Sequence, residues 1–197
     1  CILHYTENQA ALNDGDLLLI DAGAAFDCYA ADISRPFPVN GKFSPEQKAL
    51  YDIVLAAQES AFEYCSAGFG WNEPHDAAVN IIAQGLLDEG LLRGSLEQVL
   101  ETRSYLQFYM HRTGHWLGMD VHDVGDYQLD DEWRELEPGM VFTVEPGIYV
   151  NPADDVDTRW HHIGIRIEDN ILVRKDGYEN LTIAAPKTVA DIEALMA

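Results

Sequence analysis

Four acidic residues stand where an unpaired charge is hardest to accommodate, at the ends or inside apolar segments with strand-like patterning. Asp21 closes "DLLLID", Asp32 lies within "CYAADISRPF", Glu145 follows "MVFTV" and Glu168 follows "HIGIRI". A carboxylate taken out of water among apolar side chains is costly unless a cation or hydrogen-bonding partner compensates it. A fold that buries these segments must therefore gather compensating charge in the same place. Acid is not scarce elsewhere: 34 Asp and Glu stand against 12 Lys and Arg, a formal net charge of −22. Most of these carboxylates read as solvated surface. A field of that sign repels nucleic acid and anionic membranes, so neither is an expected partner.

The segments around the four acids set the expected architecture. Asp16–Gly23 reads as a buried strand and Cys28–Phe37 as a second, joined by a short turn near Phe26 and Asp27 into an antiparallel hairpin. With the hairpin centre between Phe26 and Asp27, Asp21 and Asp32 fall opposite one another and project to the same face. Two like charges so placed need a proton or a metal between them. Ser44, Pro45 and Gln47 form a helix start with a capping box, and Gly68 is the expected terminator. Leu50, Ile53, Val54, Ala57, Ala61 and Cys65 supply its apolar stripe. A second helix is expected from Glu73 to Glu89, stopped by Gly90, and a short third after Ser95. Strands resume at Met140, with a turn expected at Asp169 and Asn170. Ile163, Ile165 and Ile167 alternate with Gly164, Arg166 and Glu168, which puts Arg166 and Glu168 on the face opposite the isoleucines. A last helix begins at the capping residue Thr188. Strands, helices and strands again, without repeat or linker, indicate one α+β domain over residues 1–197.

No run approaches the ~18 apolar residues of a membrane span. The chain starts at Cys1 with no basic and then apolar leader behind it, which reads as a piece of something longer. Cys1, Cys28 and Cys65 are odd in number and widely separated, so a reducing, cytoplasmic setting is expected.

"HRTGHWLGMDVHDVG", His111 to Gly125, places His111 and His115 four apart and imitates a zinc-protease helix. That chemistry needs a glutamate directly after the first histidine, to act as general base. Arg112 stands there instead, a fixed cation that cannot be that base, and Gly114 weakens a helix. What remains is Asp21, Asp32, Glu145, Glu168 and a histidine from this stretch. Four carboxylates and one imidazole make an oxygen-rich set, too anionic for one divalent ion and suited to two.

"IDAGAAFDCYAADISR", "HWLGMDVHDVG", "VEPGIY" and "HIGIRIED", taken in order, resemble the successive motifs of the pita-bread metallopeptidases, and most of all their Xaa-Pro aminopeptidase (aminopeptidase P) branch. The resemblance implies a curved antiparallel sheet with flanking helices, here a partial C-terminal catalytic domain without its N-terminal part or N-terminal domain. It implies two divalent ions, Mn²⁺ foremost, with Co²⁺ or Zn²⁺ able to take the same geometry. Asp21, Asp32 and Glu168 would hold one ion, and Asp32, His115, Glu145 and Glu168 the other. The implied reaction is attack of metal-activated water on the bond before proline, with Glu145 as proton shuttle, peptides beginning Xaa-Pro as substrates, and a homo-oligomeric full-length protein.

His4, His111 and His122 match family histidines that line the substrate cleft. His122 would donate to the scissile peptide, His4 would help hold the substrate, and His111 would border the proline pocket. Arg166 would either contact substrate or compensate the carboxylates, and Tyr149 would either support a ligating carboxylate or serve as core. Arg112 and Thr113 depart from the family, where a glycine commonly follows His111. Prolidase, acting on Xaa-Pro dipeptides, and a non-catalytic pita-bread binding module are the rival readings. The compact loop between Tyr149 and His162 favours the aminopeptidase over prolidase. Trp71 and His75 read as packing or surface. His161 and His162, being adjacent, should point apart and not share an ion.

Overall fold

In the computed structural model, which describes residues 1–197, the chain runs from strands through helices and back to strands. β1 (Leu17–Ala22), β2 (Ala25–Phe26), β3 (Tyr29–Ala30) and β4 (Ile33–Pro38) come first. α1 (Pro45–Phe62), α2 (Glu73–Asp88) and α3 (Leu96–Thr102) follow. The second half holds β5 (Gln128–Leu129), β6 (Glu132–Trp133), β7 (Val141–Val144), β8 (Gly147–Tyr149), β9 (Gly164–Arg166), β10 (Asp169–Arg174), β11 (Gly177–Asn180) and α4 (Val189–Met196).

Local sequence explains the helix starts. The Ser44 hydroxyl accepts from the Gln47 N–H at 3.1 Å while the Gln47 amide oxygen accepts from the Ser44 N–H at 2.9 Å, with Pro45 at the first helical position. Ser95 and Gln98 repeat the same box at α3, and Thr188 caps α4. α1 buries Leu50, Tyr51, Val54, Ala57 and Ala61, and α2 buries Ala78, Val79, Ile82 and Leu86 in the same core. The two helices cross closely at Gly85, where a Cβ would come within 2.7 Å of Ile53. α2 ends at Asp88 ahead of Gly90, as expected.

α1, however, ends at Phe62 and not at Gly68. Its last turn tightens to bonds from Tyr64 N–H to the Ala61 carbonyl and from Cys65 N–H to that of Phe62. The chain then leaves to pair elsewhere, Ala67 with the Arg174 carbonyl and Gly68 with that of Leu136. Tertiary pairing thus overrides a helical pattern that the sequence could have continued.

The strands form one three-stranded piece in the order β11-β10-β7 and the two-stranded pieces β1-β4, β8-β9, β2-β3 and β5-β6, all antiparallel. A bond from the Glu168 N–H to the Ser34 carbonyl links the β1-β4 piece to the chain between β9 and β10. Ile163, Ile165 and Ile167 are buried in the helix-facing core, which turns Arg166 and Glu168 to the other face as their alternation requires. Two expectations need correction. β1 is not a buried strand: Leu17 to Leu19 are half-buried and Ile20 is 44% exposed, because only β4 flanks it. Asp169 and Asn170 are not a turn but the first residues of β10, each fixed by a buried polar partner.

That partner for Asp169 is Arg35. The Arg35 guanidinium donates to Asp169 at 2.7 Å and to the Glu168 carbonyl at 2.5 Å, and Lys187 reaches the other Asp169 oxygen at 3.0 Å. Burial alone would raise the Asp169 carboxyl pKa, but Arg35 and Lys187 outweigh it and hold it below its ordinary value. This stabilisation is present above the unfolded carboxylate pKa and is lost as pH falls through the folded one. Arg35→Ala leaves a fully buried carboxylate with only Lys187 as cation, so the midpoint of urea unfolding at pH 7 should fall by an amount equivalent to ~3 kcal/mol. An unchanged midpoint would mean that the pair contributes nothing.

Candidate metal centre

The hairpin brings the first two acids together, by a register different from the expected one. Asp27 and Cys28 both take positive φ, 46° and 64°, and Phe26 pairs with Tyr29. A two-residue turn with both residues left-handed suits the twist of a hairpin. The centre therefore lies between Asp27 and Cys28, and Asp21 faces Ser34 in place of Asp32. A shift of two residues preserves side-chain parity, so Asp32 still projects to the face of Asp21. The strand breaks at Asp32, where the backbone crowds Gly23: a Cβ there would lie 1.6 Å from the Ala31 carbonyl oxygen. The Asn170 side chain replaces the missing ladder, accepting from the Asp32 N–H at 3.1 Å and donating to the Asp32 carbonyl at 2.5 Å.

The stretch from His111 contains no helix. It runs extended along β7, with bonds from Glu145 N–H to the Thr113 carbonyl (2.7 Å), Thr143 N–H to His115 (3.0 Å) and Leu117 N–H to Val141 (3.1 Å). Gly114 makes this approach possible, since a Cβ would stand 1.9 Å from the Thr143 oxygen. His115 and Glu145 thereby meet across neighbouring strands, Nε2 to Oε1 at 3.4 Å.

Asp21, Asp32 and Glu168 offer ligand atoms within 4.8 Å of one another, as do His115, Glu145 and Glu168, and as do Asp32, His115 and His122. Asp32, His115 and Glu168 each belong to two of these groups. Glu168 is 1% exposed; its Oε2 accepts from the Ser34 hydroxyl at 2.7 Å, while Oε1 is buried with no partner. Burial, then the neighbouring Glu145 and Asp32 charges, push its pKa well above the usual carboxylate value. Burial likewise raises Glu145, against His115 and Arg166.

The His115 Nδ1 lies 2.9 Å from the Trp116 carbonyl, which can only accept, so that nitrogen carries the proton. In the neutral ring, Nε2 then aims a lone pair at Asp32 (3.6 Å) and Glu145 (3.4 Å). Lone pair facing carboxylates is repulsive unless a proton or a metal cation lies between. Burial disfavours the charged ring, yet Asp32, the Trp116 carbonyl and Glu145 together outweigh it and the His115 pKa is raised. The partnerless Glu168 oxygen and this lone pair both fit a divalent-cation centre.

Arg166 partly compensates the cluster. It donates to Asp21 at 2.7 Å, Ser34 at 3.0 Å and the Tyr149 hydroxyl at 3.1 Å, with Glu145 3.8 Å away. Tyr149 touches no carboxylate; its hydroxyl also lies 3.0 Å from His111 Nε2. Burial lowers the His111 pKa to about 4, so the ring is neutral at pH 7. Its Nδ1 donates to the Arg112 carbonyl at 2.8 Å, and Nε2 then accepts from Tyr149.

His4, His111, His115 and His122 all line one cavity of about 570 Å³ with the four acids and Arg166. His122 stands beside His115, ring centroids 4.2 Å apart. His75 is half-buried in α2, its Nδ1 2.8 Å from the Thr113 hydroxyl. His161 and His162 lie apart, their ring centroids separated by 6.3 Å. Sequence reasoning missed Ser34, Asn170, and the cavity wall of Trp71, Tyr127 and Trp133. Ser34 was findable, lying two residues from Asp32 on the same face. Trp71 packs on Trp116 at 4.1 Å, a contact between distant segments with no local signature.

The sequence matches metallopeptidase family M24 over residues 1–175. The chain belongs to that family. Its M24 relatives include the Xaa-Pro aminopeptidase of Haemophilus influenzae, 54% identical over 196 residues, and that of Escherichia coli K12, 48% identical, each match covering 100% of this chain. The chain spans 45% and 44% of those two relatives, under half their length. Among solved structures, Pseudomonas aeruginosa aminopeptidase PepP superposes with a TM-score of 0.98 at 58% identity, and Yersinia pestis proline aminopeptidase P II with 0.96 at 53%. Each match covers the whole of this chain and 45% of that one. The fold is the pita-bread fold of M24 catalytic domains, and the family of metallopeptidases implies divalent metal ions.

The raised Glu168 pKa gives a pH signature. Between the unfolded carboxylate pKa and the raised folded one, the native state holds the proton more tightly, so the Glu168 contribution to metal-free stability falls as pH rises. Stability of the metal-free protein relative to Glu168→Gln should therefore decline from pH 5 to pH 8 in urea unfolding. A difference that is flat or rises would contradict the assignment of Glu168 as a strained buried acid.

Proposed function

We propose that residues 1–197 are the catalytic portion of a metalloaminopeptidase that removes the N-terminal residue from peptides with proline second. The observation that carries this reading is the buried Glu168 oxygen without a partner, beside the His115 lone pair, in a cavity wide enough for a peptide. Both groups fit a divalent cation, and relatives 54% and 48% identical to this chain are named Xaa-Pro aminopeptidases.

In this reading Asp21, Asp32 and Glu168 would hold one divalent ion, and Asp32, His115, Glu145 and Glu168 would hold a second. Glu168 groups both with Asp21 and Asp32 and with His115 and Glu145, which supports its sharing. Such ions supply Lewis acidity and lower the pKa of water. Glu145 takes the proton of an attacking water and delivers it to the prolyl nitrogen, which must be protonated to leave. His122, exposed to the cavity, donates to the scissile carbonyl oxygen, and His4 positions the peptide. His111, a neutral ring held by Tyr149, borders the proline side. Arg166 orients Asp21 and limits the net charge of the cluster.

Oxygen-rich ligands favour Mn²⁺. A cytoplasmic location accords with three free cysteines, and no helix is long and apolar enough to cross a membrane. Homo-oligomerisation belongs to the same reading, by likeness to the family.

The manganese-loaded protein should release the first residue from an Xaa-Pro-Yaa tripeptide. Cleavage of Xaa-Pro dipeptide alone would replace this reading with prolidase, and cleavage of neither, with metal bound, would replace it with a binding module. Asp32→Ala should lose both ions by elemental analysis and reduce turnover by more than about 100-fold, beyond what losing a partner of a metal ligand costs. Retention of full metal content would sink the assignment of Asp32 as a shared ligand.

A further inference from the structure

We infer that Arg112, Trp133 and Asn72 form a carboxylate-binding subsite on the rim of the cavity, which reads an acidic group on the peptide beyond the proline. The inference rests on the aminopeptidase reading above. Two arginines line the cavity. Arg166 is buried and committed to Asp21, Ser34 and Tyr149. Arg112 is exposed and paired with no carboxylate, in a chain with 34 acidic and 12 basic residues. Its protein partners are the neutral Asn72 amide oxygen, which accepts from one terminal N–H, and the face of the Trp133 ring, 5.0 Å from the guanidinium carbon. Its remaining N–H groups have no protein acceptor.

The arrangement suits an anion. A guanidinium stacked on an aromatic ring and tied by an amide is held in place before binding, so little side-chain entropy is lost when its fork meets a carboxylate. The placement also limits what can bind. The centre of the cavity is occupied by Asp21, Asp32, Glu145 and Glu168, which repel a free carboxylate there. Arg112 offers the one unpaired cation, at the exposed rim beside Trp133, itself 41% exposed. With the scissile bond at the acid cluster, a carboxylate reaches that rim only from a more distant part of the peptide. It comes either from an Asp or Glu side chain after proline or from the terminal carboxylate of a short peptide. A basic residue at the same place is repelled.

The test uses the manganese-loaded protein and four peptides, Ala-Pro-Glu and Ala-Pro-Gln, each with a free and an amidated C-terminus. The Glu over Gln ratio of kcat/KM in the amides reads the side-chain source, and the acid over amide ratio in the Gln pair reads the terminal source. At least one ratio should be about 3 to 10, carried by KM and reduced by salt, as for a charge-assisted bond at an exposed site. Arg112→Gln should bring that ratio to about one, and Arg112→Lys should restore part of it. Ratios equal in wild type and Arg112→Gln overturn the subsite. If wild type cleaves none of the peptides, the aminopeptidase reading fails separately, and calorimetric titration decides the subsite. Carboxylate-dependent binding lost in Arg112→Gln supports it, and binding indifferent to the carboxylate overturns it.

Discussion

Four carboxylates around one cavity repel each other, and the rest of the fold is arranged to hold them there. Arg166 takes up part of the charge from one side through Asp21. On the other, Arg35 binds the Glu168 carbonyl while pairing with Asp169, so a buried cation fixes the backbone of the most buried of the four without neutralising its side chain. Asn170, a neutral side chain, fixes the Asp32 backbone through two hydrogen bonds, accepting from its N–H and donating to its carbonyl. The scaffold thus fixes backbone positions and leaves one buried carboxylate oxygen, Glu168 Oε1, uncommitted. An uncommitted buried oxygen is costly to the folded protein alone and useful to one that binds a cation.

The acids come from two strand systems that are separate as hydrogen-bonded pieces. Asp21 and Asp32 belong to the hairpin of β1 and β4, whereas Glu145 and Glu168 follow β7 and β9. The extended segment from Thr113 to Leu117 adds His115 by running along β7, and Tyr29 and Ala30 in turn bond the Leu117 and Gly118 carbonyls. The hairpin tip and the histidine segment therefore position each other. Gly114 and Gly23 mark where backbone passes over backbone closely enough that no side chain fits. The cavity opens between these elements, lined by Trp71, Tyr127 and Trp133 together with the acid cluster.

Much of this was legible in residue order. Helix starts at Ser44, Ser95 and Thr188 depend on side chains within three positions of the cap, and all three appear in the structure. The face shared by Arg166 and Glu168 follows from strand alternation alone. The end of α1 was not legible, because the bonds that draw residues 67 and 68 away come from Arg174 and Leu136. Nor was the role of Asn170, which looked like a turn residue until Asp32 was found beside it. Arg112 carried a different kind of signal, a cation where the neighbouring motif led to an expectation of glycine, whose surroundings only the fold supplied.

The sequence by itself determined the parity of the site: which acids and which arginine share a face, which helices form, and that His111 and His115 are no zinc helix. These depend on periods of two and 3.6 residues and on chemistry between near neighbours. Only the tertiary structure decided the register of the first hairpin, the pairing of Arg35 with Asp169 and the meeting of His115 with Glu145. It also decided which Glu168 oxygen is left without a partner. Those features depend on contacts between residues far apart in the chain, where closing a loop and burying a charge must be balanced together.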